Sequence, residues 1–373
     1  MRRSTYARLG AIVAVVALLA AACQRGDDDP DATDEERPAQ QEQEGLLQQI
    51  RDRGMLRCGV NNTVPGFGFE TSGGEIEGFD IDFCTAIAAA VFNTADVEGM
   101  IELVPVDAEE RFNALRAGEY DVLVRNTTWT SSRDGSEGVA FAHVNFYDGQ
   151  AMMVRDGEFG AVEEMDGTSV CVTTGTTTEL NLADYTAQVG VEVEPVTFSE
   201  NPQLQEAFIS GRCDGWTSDR SQLAGIRSAW PEEEGGPESL VILDDVMSKE
   251  PLAPGVLDGD QEWHQAVDWV VNGLILAEEL GVDSGNVDQQ VQNPDDPQIA
   301  GLLGVAFEAE TETISVDSGL GLENDFMQAV LEAVGNYGEI FDRHLGPNTP
   351  IGLDRGVNAL WTDGGVQYAM PFR

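Results

Sequence analysis

Apolar residues along the chain alternate between short continuous runs and helical spacing, starting near residue 55. Phe83, Ile87 and Val91 recur every four residues among alanines, as on the buried face of a helix. Continuous apolar runs predict strands at 55–60, 101–106 and 120–124, and Asp107 marks the start of a second helix. Taken in order, these segments form a β-α-β-α-β unit.

A second unit with the same order of elements follows the first. Its predicted strands are 168–172, 191–198, 213–217 and 240–243, and its predicted helices are 179–187, 202–210 and 220–230. Two such units predict an α/β fold with two lobes, each a mostly parallel sheet flanked by helices. After residue 254 the chain is predicted to be mainly helical, with helices at 263–280 and 325–345, and the pattern assigns no definite element within 281–321.

Composition and charge narrow the class of protein. With 373 residues, 42% of them hydrophobic, the chain is long enough for two cores of ordinary size. A net charge of −47 repels phosphate backbones and argues against nucleic-acid binding. The chain is acidic and Lys249 is its only lysine, a composition similar to that of halophile proteins. An alternative interpretation of the acidic surface is that its charge serves solubility. His143, His264 and His344 lack ligand spacing, so we expect no metal and no cofactor.

The N-terminus predicts export. Three arginines precede an apolar run at 11–22 that is too short to cross a bilayer of roughly 30 Å as a helix. The run ends at Cys23 in an arrangement that resembles the bacterial lipobox, with Ala20 in place of the usual leucine. We expect residues 1–22 to be a signal peptide and Cys23 to be lipidated; the alternative is cleavage to a soluble secreted protein. Residues 23–45 are acidic and almost free of apolar side chains, so they are predicted to be a disordered tether.

Four further cysteines predict disulfides, because exported proteins meet an oxidising environment. Cys58, Cys84, Cys171 and Cys213 allow three pairings, and the sequence alone does not choose among them. The division into two units favours Cys58–Cys84 and Cys171–Cys213, one bridge in each lobe. A zinc site or a catalytic thiol is the alternative, and the absence of any CxxC pair argues against it.

Polar residues follow the strands of both units at the point where each strand ends. In the first unit, segment 125–134 supplies hydroxyl groups and Arg133, whose planar guanidinium suits a carboxylate. In the second unit, Gly175–Thr178 opens a predicted helix and offers free N–H groups to an anion, and Asp219 could hold an ammonium group. Because open α/β sheets bind ligands beyond the carboxyl ends of their strands, these residues predict a cleft between the lobes.

Each of these residues also has an ordinary structural explanation. Arg133 could pair with a surface acid, which is easy in so acidic a chain. The threonine turn and Asp219 could be the N-caps of the helices that follow them. The chain has no GxxxxGK[ST] or GxGxxG motif, so a nucleotide phosphate is not indicated.

A series of family-like motifs extends from about residue 48 to residue 373. They are RGMLRCGVN (53–61), GFDIDFCTAIAAAVF (78–92), ERFNALRAGEYDVLVRNTTWTSSRD (110–134), VCVTTGTTTELNLADY (170–185), SGRCDGWTSDRSQLA (210–224), SKEPLAP (248–254), AEELG (277–281), GNYGEIFDRHLGP (335–347) and RGVNALWTDGGVQYAMPFR (355–373). This series resembles the solute-binding proteins of polar amino-acid ABC transporters, and more narrowly the general L-amino-acid-binding subfamily. The motifs are specific as a set, whereas most of them are not specific singly.

The resemblance implies a two-lobed periplasmic binding protein fold of type II, with a helical C-terminal extension. We place the two crossings near 146–150 and 248–252, which gives a lobe I of 46–147 plus 252–373 and a lobe II of 151–248. The implied function is extracytoplasmic binding of free L-amino acids, hinge closure around the ligand and delivery to an ABC transporter permease. We expect a monomer without enzyme activity, attached by its lipid anchor to the outer face of the cytoplasmic membrane.

The resemblance also assigns site residues. Arg133 matches the arginine that holds the α-carboxylate of the ligand, and Asp219 matches the aspartate that holds its α-ammonium group. The residues that match groups assisting the carboxylate are Asn126, Thr128, Thr176 and Thr177. Contacts to the ligand side chain are expected from the loop at 61–69, from Asn61 and from Phe67.

Two other function classes remain open from the sequence. The first is an enzyme on the same scaffold, such as a small-acid dehydratase or the catalytic half of a wall-cleaving lyase. Such an enzyme needs an acid or base beside the ligand, and Glu179 is the nearby candidate, although it is expected in the first turn of a helix. The second class is the sensor domain of a signalling receptor.

Overall fold

The computed structural model describes residues 45–308, 313–314 and 319–372. The predicted signal peptide, the lipidation of Cys23 and the tether as far as residue 44 lie outside the described residues. By its internal contacts, the chain from residue 44 onward forms one unit. Both lobes lie within it.

Short strands and helices alternate along the described residues. In chain order, the strands are β1 (Leu56–Val60), β2 (Thr63–Val64), β3 (Gly68–Glu70), β4 (Ile76–Glu77), β5 (Ile101–Pro105), β6 (Val122–Leu123), β7 (Val139–Phe141), β8 (Phe146–Asp148), β9 (Gln150–Arg155), β10 (Ser169–Thr173), β11 (Glu194–Phe198), β12 (Gly215–Asp219), β13 (Leu240–Ile242), β14 (Glu250–Leu252), β15 (Gly255–Leu257), β16 (Phe307–Glu308) and β17 (Thr313–Ile314). The helices are α1 (Leu46–Arg53), α2 (Phe79–Phe92), α3 (Arg111–Ala117), α4 (Ser131–Ser136), α5 (Thr177–Val189), α6 (Asn201–Ile209), α7 (Arg220–Ser228), α8 (Gln261–Glu279), α9 (Val287–Gln292), α10 (Pro297–Leu302), α11 (Phe326–Val334) and α12 (Tyr337–His344).

Two five-stranded sheets define the two lobes. The strand order is β5-β1-β6-β15-β7 in lobe I and β11-β10-β12-β9-β13 in lobe II. In each sheet the first three strands are parallel, and the fourth runs antiparallel to both of its neighbours. The same arrangement therefore occurs twice, which confirms the predicted two-lobed α/β fold with mostly parallel sheets.

The chain passes between the lobes through β8 and β14. These two strands pair antiparallel, with Phe146 opposite Leu252 and Asp148 opposite Glu250. β8 follows the edge strand of lobe I and leads directly into β9 of lobe II, while β14 leads from lobe II back into β15. A short two-stranded ribbon is thus the connection about which the lobes can rotate.

The core of lobe I is built around α2, which contacts β1 on one side and α8, α11 and α12 on others. Its sequence FDIDFCTAIAAAVF is apolar nearly all round, as expected of a helix that is covered on several sides. The C-terminal helices add large buried side chains to this core, among them Trp263 and Tyr337. The Tyr337 hydroxyl donates to the carbonyl of Asn145 at 2.8 Å, which ties α12 to the segment leading into the ribbon.

Each lobe contains one disulfide, as the division into two units favoured. Cys58 on β1 bonds to Cys84 on α2 and fixes that helix to the sheet of lobe I. Cys171 on β10 bonds to Cys213, which lies just before β12, so this bridge joins two neighbouring strands of lobe II. All four sulfurs belong to fully buried residues.

Several features depart from the sequence expectations, among them β9, which lies within the sheet of lobe II where no strand was predicted. β15 is a short strand in a region that was predicted to be mainly helical. A Cβ on Gly255 would lie 2.8 Å from Val139, so the glycine is there for close packing and contributes nothing to a hydrophobic pattern in the sequence. The helix predicted at 325–345 is two helices, because Gly335 has a φ of +77° and Asn336 caps α12 with Glu339 in a capping box. The unassigned stretch contains the short helices α9 and α10.

Candidate binding site between the lobes

A polar cavity lies where the carboxyl ends of the strands of the two lobes face each other. Its empty volume is about 420 Å³, including the part that is open to solvent. Lobe I contributes Asn61, Ala108, Arg111, Arg125, Asn126, Thr128 and Arg133, and lobe II contributes Thr173, Thr176, Thr177, Thr178, Asn201, Ser218, Asp219 and Gln222. The lining is almost entirely hydrogen-bonding groups, so the cavity suits a small charged molecule better than an apolar one.

Arg133 lies on α4 and is only 8% exposed. Thr130 caps this short helix by accepting from the Arg133 backbone N–H at 3.2 Å, which fixes where the side chain begins. The guanidinium donates through Nη1 to the carbonyl of Thr128 at 2.8 Å and lies 5.4 Å from the ring centre of Phe112. Within the described residues it has no ion-pair partner, so the pairing with a surface acid, considered as the alternative, is absent there.

The threonine turn lies at the start of α5, which belongs to lobe II. Thr176 caps the helix by accepting from the Glu179 backbone N–H at 3.1 Å, and it also lines the cavity, so the structural and the functional interpretations both apply to it. Gly175 has a φ of +73°, and a Cβ there would lie 3.0 Å from the backbone of Glu109 in the opposite lobe. Because the first N–H groups of a helix have no intrahelical partner, this turn offers donors to an anion.

Asp219 is the last residue of β12 and is only 6% exposed. Although it precedes α7, its side chain makes no capping hydrogen bond, so the N-cap alternative is wrong. Burial raises the pKa of its carboxyl group well above the ordinary value, and the nearby Asp148 and Glu250 raise it further, whereas Arg133 and Arg111 oppose the shift. A cationic group placed in the cavity would favour the ionised carboxylate.

Four more residues named from the sequence line the cavity, namely Asn61, Asn126, Thr128 and Thr177, and one does not. Asn61 Nδ2 donates to Asn126 Oδ1 at 3.3 Å, and Thr128 lies on the same side. Phe67 is absent from the lining: it is 1% exposed and packs edge-to-face against Phe146 at 5.2 Å in the core of lobe I. The expectation that Phe67 contacts the ligand is therefore corrected, because its ring points into the core rather than towards the cleft.

Hydrogen bonds across the cleft show that the lobes are closed on each other. Asn126 Nδ2 donates to Gln222 Oε1 at 3.0 Å, and Arg111 Nη2 donates to the carbonyl of Gly175 at 3.2 Å. On α7, a Cβ at Gly225 would lie 2.4 Å from the carbonyl oxygen of Pro65 in lobe I, so only glycine permits this approach. The closed arrangement narrows the cleft, although part of the cavity stays open to solvent.

Glu250 lies at the ribbon and links the two lobes. Its carboxylate accepts from the Thr128 hydroxyl of lobe I at 2.6 Å and from the Thr177 hydroxyl of lobe II at 2.7 Å. Asn181 Nδ2, also of lobe II, donates to its other oxygen at 2.9 Å. Since the Thr128 and Thr177 hydroxyls donate to this carboxylate, their main structural effect is to hold the lobes together.

Sequence reasoning missed several lining residues, of which Arg111 and Gln222 are the most informative. Arg111 is the first residue of α3 and Gln222 lies in the first turn of α7. Both occur within the family-like motifs, in ERFNALRAGEYD and SDRSQLA, but neither follows a strand directly. The sequence signal that could have identified Arg111 is a charged residue in a short helix at a position where a buried side chain is expected.

Within the described part of the chain, no helix is both long enough and apolar enough to span a membrane. The same residues contain no group of three His, Cys, Asp or Glu side chains placed to hold a metal ion. Glu179, the candidate acid or base, lies in the first turn of α5 and is not among the residues that line the cavity. Its carboxylate accepts from the Gly175 N–H at 2.8 Å.

Comparison with known proteins agrees with these features. The family model described as bacterial extracellular solute-binding proteins, family 3, matches residues 56–281. The General L-amino acid-binding periplasmic protein AapJ of Rhizobium johnstonii is 43% identical over 328 residues, which cover 88% of this chain and 92% of AapJ. The Glutamate/glutamine/aspartate/asparagine-binding protein BztA of Rhodobacter capsulatus is 41% identical over 328 residues, which cover 88% of this chain and 93% of BztA.

A solved structure gives the same result for the fold. An ABC transporter periplasmic binding protein from Brucella ovis, with glutathione bound, matches with a TM-score of 0.82 and 42% identity, covering 89% of this chain and 100% of that one. The resemblance inferred from the motifs is confirmed. This chain therefore belongs to the bacterial extracellular solute-binding proteins, family 3.

Proposed function

We propose that this protein binds free L-amino acids outside the cytoplasm and delivers them to an ABC transporter permease. Relatives named for amino-acid binding, which align over 88% of the chain, support this proposal. The observation that carries it is the cavity itself, which holds a buried arginine from one lobe and a buried aspartate from the other. Among the described residues, neither Arg133 nor Asp219 has an ion-pair partner.

A zwitterion matches this arrangement. In the proposed complex the Arg133 guanidinium binds the α-carboxylate, the free N–H groups of the Thr176–Thr178 turn assist it, and Asp219 binds the α-ammonium group. Asn126 and Thr128 complete the wall beside the carboxylate, and Asn61 lies on the same side. Burying each protein charge without a partner costs several kcal/mol, so a ligand that carries both charges relieves both costs together.

The proposed mechanism is closure about the ribbon of β8 and β14. Because the arginine and the aspartate belong to different lobes, the ligand contacts both only when the lobes are closed, and binding therefore shifts the population towards the closed form. Glu250, which accepts hydrogen bonds from both lobes, stabilises that form. The closed, loaded protein then docks on the permease. Micromolar affinity corresponds to about −8 kcal/mol, which two charge-assisted contacts with partial side-chain burial can supply.

The proposal extends to the setting of the protein. Lobe I comprises residues 46–147 and 252–373, and lobe II comprises 151–248. The protein is a monomer without catalytic activity, attached through a lipidated Cys23 to the outer face of the membrane after removal of residues 1–22. The net charge of −47 and the single lysine support adaptation to a saline medium.

Isothermal titration calorimetry with a panel of L-amino acids tests the proposed function. We expect saturable binding with one site per chain, and we expect Arg133→Ala to weaken it by roughly a hundredfold, because the buried carboxylate loses its counter-charge. Arg343→Ala is the matched control, since this exposed arginine pairs with Asp82 at 2.6 Å, away from the cleft, and should leave the affinity unchanged. Undiminished binding by Arg133→Ala, or chemical turnover of a bound ligand followed by NMR, would contradict the proposal.

A further inference from the structure

The outer edge of β8 is covered by the C-terminal part of the chain. Asn358 lies in a single helical turn, Gly356–Asn358, and is 5% exposed. The Tyr147 N–H donates to Asn358 Oδ1 at 2.7 Å, and Asn358 Nδ2 donates to the Tyr147 carbonyl at 2.9 Å. One side chain thus binds both backbone groups that a third strand would bind, although the two residues are 211 positions apart in the chain.

Asn358 is itself anchored to the helices of lobe I. Its carbonyl accepts from Arg355 Nε at 3.2 Å and from Arg355 Nη2 at 3.0 Å. The same guanidinium donates to both carboxylate oxygens of Glu278 on α8, at 2.8 and 3.0 Å, and lies 5.0 Å from the ring centre of Tyr337 on α12. Residues 355–358 therefore form a C-terminal clamp that connects β8 to the helical core of lobe I.

The outer edge of β14 is also bound by lobe I. The Trp129 N–H donates to the Pro251 carbonyl at 2.7 Å. One turn further, the Ala253 N–H donates to the Thr127 carbonyl at 3.1 Å. Because Pro251 is the residue opposite Tyr147 in the ribbon, both edges of the ribbon at this level are hydrogen-bonded to lobe I. This half of the ribbon therefore moves with lobe I.

The next residue of β8 is bound by lobe II instead. The Asp148 carboxylate accepts from the hydroxyl and the backbone N–H of Ser221, in the first turn of α7. The Gly149 carbonyl accepts from the Arg220 N–H at 2.8 Å. Tyr147 is thus held by one lobe and its neighbour Asp148 by the other. Because a hinge absorbs its rotation at a few backbone bonds, the bonds between these two residues are where the first crossing can bend.

We propose that the C-terminal clamp confines the bending of the first crossing to the Tyr147–Asp148 junction and thereby slows the release of a bound ligand. This inference rests on the proposed closure of the lobes around an amino acid. Without the Asn358 amide, the dihedral changes that open the lobes can spread along residues 145–149, so that opening costs less. The open form also gains conformational freedom, whereas the cross-cleft hydrogen bonds still hold the closed form.

The clamp acts at a distance from the ligand. Asn358 is not among the residues that line the cavity, and residues 355–358 lie beyond the region 56–281 that the family model matches. Asn358 is therefore a positioning residue: it affects the ligand only through the ribbon. A substitution there should change how fast the lobes open and leave the contacts inside the cavity as they are.

Stopped-flow fluorescence with L-glutamate and L-glutamine as probes tests the inference. We expect Asn358→Ala to raise the dissociation rate roughly tenfold and to leave the association rate within about twofold, because the ligand enters a form that is already open. Arg355→Lys keeps the charge but loses the planar fork, so it should raise the dissociation rate less, by roughly threefold.

Asn336→Ala is the matched control. Asn336 is also a buried asparagine of lobe I, and its amide likewise binds one N–H, that of Glu339 at 3.0 Å, and one carbonyl, that of Val282 at 2.9 Å. Its loss should lower the melting temperature, as the loss of Asn358 should, but leave both rates unchanged. Spin labels at the exposed positions 52 of lobe I and 233 of lobe II give a second measurement. In the ligand-free protein, Asn358→Ala should broaden their distance distribution, whereas Asn336→Ala should not.

The outcomes separate this inference from the function on which it rests. An unchanged dissociation rate in Asn358→Ala, or an equal rise in Asn336→Ala, overturns the inference, because the clamp then contributes only to the stability of lobe I. Failure to bind any amino acid overturns the proposed function; the spin-label distances then decide, and an unchanged width in Asn358→Ala overturns the inference as well. If Asn358→Ala does not fold, as judged by thermal melting, Arg355→Lys decides by the same two measurements.

Discussion

The two lobes share one strand order but present opposite chemistry to the cleft between them. Lobe I places the guanidinium groups of Arg111, Arg125 and Arg133 at the cavity, whereas lobe II places a threonine turn and Asp219 there. The repeated β-α-β-α-β unit determines where the cleft lies, because the carboxyl ends of both sheets meet there. The residues beyond each strand and at the start of the following helices determine what the cleft can bind.

The division of charge between the lobes has a mechanical consequence. If Arg133 and Asp219 belonged to one lobe, an open form could bind both ends of a zwitterion nearly as well as the closed form. A ligand with equal affinity for both forms shifts no equilibrium. Placing the charges on opposite lobes makes the affinity depend on closure, so that the ligand and the closed conformation stabilise each other.

The largest expected effect tests the architecture that the lobes share. Replacing Cys58 and Cys84 by alanine should lower the free energy of unfolding by roughly 3.5 kcal/mol, and replacing Cys171 and Cys213 by roughly 4 kcal/mol, in the chain-entropy account. The reason is that the bridges close loops with separations of 26 and 42 residues. Urea unfolding of the ligand-free protein measures both values.

The additivity of the two effects sharpens this test. Because the bridges lie in separate lobes, the variant without either bridge should lose about the sum of the two values if the lobes unfold together. Peptide mapping under non-reducing conditions gives an independent check. A peptide linking Cys58 to Cys171 or Cys213, or an unchanged midpoint after either replacement, would contradict one independent bridge per lobe.

The second effect tests the chemistry that distinguishes the lobes. Asp219→Asn keeps the shape of the side chain and removes its charge, so we expect amino-acid affinity to fall roughly thirty- to hundredfold. The ligand-free protein should change in the opposite direction. The raised pKa of Asp219 means that its contribution to stability is full below its ordinary pKa and is lost as the pH rises through the raised value. At pH 7 the variant should therefore melt at a higher temperature than the wild type.

Asp214→Asn is the matched control for Asp219→Asn, because Asp214 lies just before the same strand but outside the cavity. Its carboxylate accepts from the backbone N–H and the hydroxyl of Ser169 at 2.8 and 2.9 Å. Losing these bonds should lower the melting temperature and leave the affinity unchanged. Equal ligand affinity in Asp219→Asn and the wild type would show that lobe II does not supply the counter-charge.

A residue of this site can be predicted from the sequence when it lies at or just beyond the end of a recognisable strand. Arg133, Asp219 and the turn containing Thr176 follow strands whose apolar runs are clear, and the parallel order of those strands brings their ends together. The family-like motifs assigned the same residues to the ligand site. Their positions therefore follow from local patterns and from one rule about open sheets.

Arg111, Gln222 and Phe67 did not follow from such patterns, for a physical reason. Arg111 and Gln222 lie in the first turns of helices, and both make cross-cleft bonds only because the two lobes meet. These bonds join residues 64 and 96 positions apart in the chain. Phe67 lies in the loop between β2 and β3, where no periodic pattern shows from the sequence whether a ring faces the core or the cleft. β15 was not predicted because the strand is too short for a periodic hydrophobic pattern to appear in the sequence.

The smallest expected effect concerns two acids that lie on different lobes. Burial, followed by the neighbouring Asp107 of lobe I, raises the pKa of Glu200 of lobe II to about 7, and Arg125 opposes the shift. A carboxyl group with a raised pKa stabilises the closed form at low pH, and this stabilisation is lost as the pH rises through about 7. At Glu200, ligand binding, which closes the lobes, should therefore favour proton uptake near neutral pH, opposite in sign to the proton release expected at Asp219 when an ammonium group favours its ionised form.

Calorimetry at pH 6, 7 and 8, in buffers of different ionisation enthalpy, measures this proton uptake. We expect the ratio of the affinity at pH 6 to the affinity at pH 8 to be roughly threefold higher in the wild type than in Glu200→Gln, because the amide cannot ionise. Glu206→Gln on α6 is exposed and should retain the slope. Burial also raises the pKa of Asp80 to about 7, but its hydrogen-bond partner Asn126 lies in the same lobe, so closure should not change its ionisation. An unchanged pH slope in Glu200→Gln would mean that the two acids meet without affecting closure, and the electrostatic difference between the lobes would then lie wholly at the ligand.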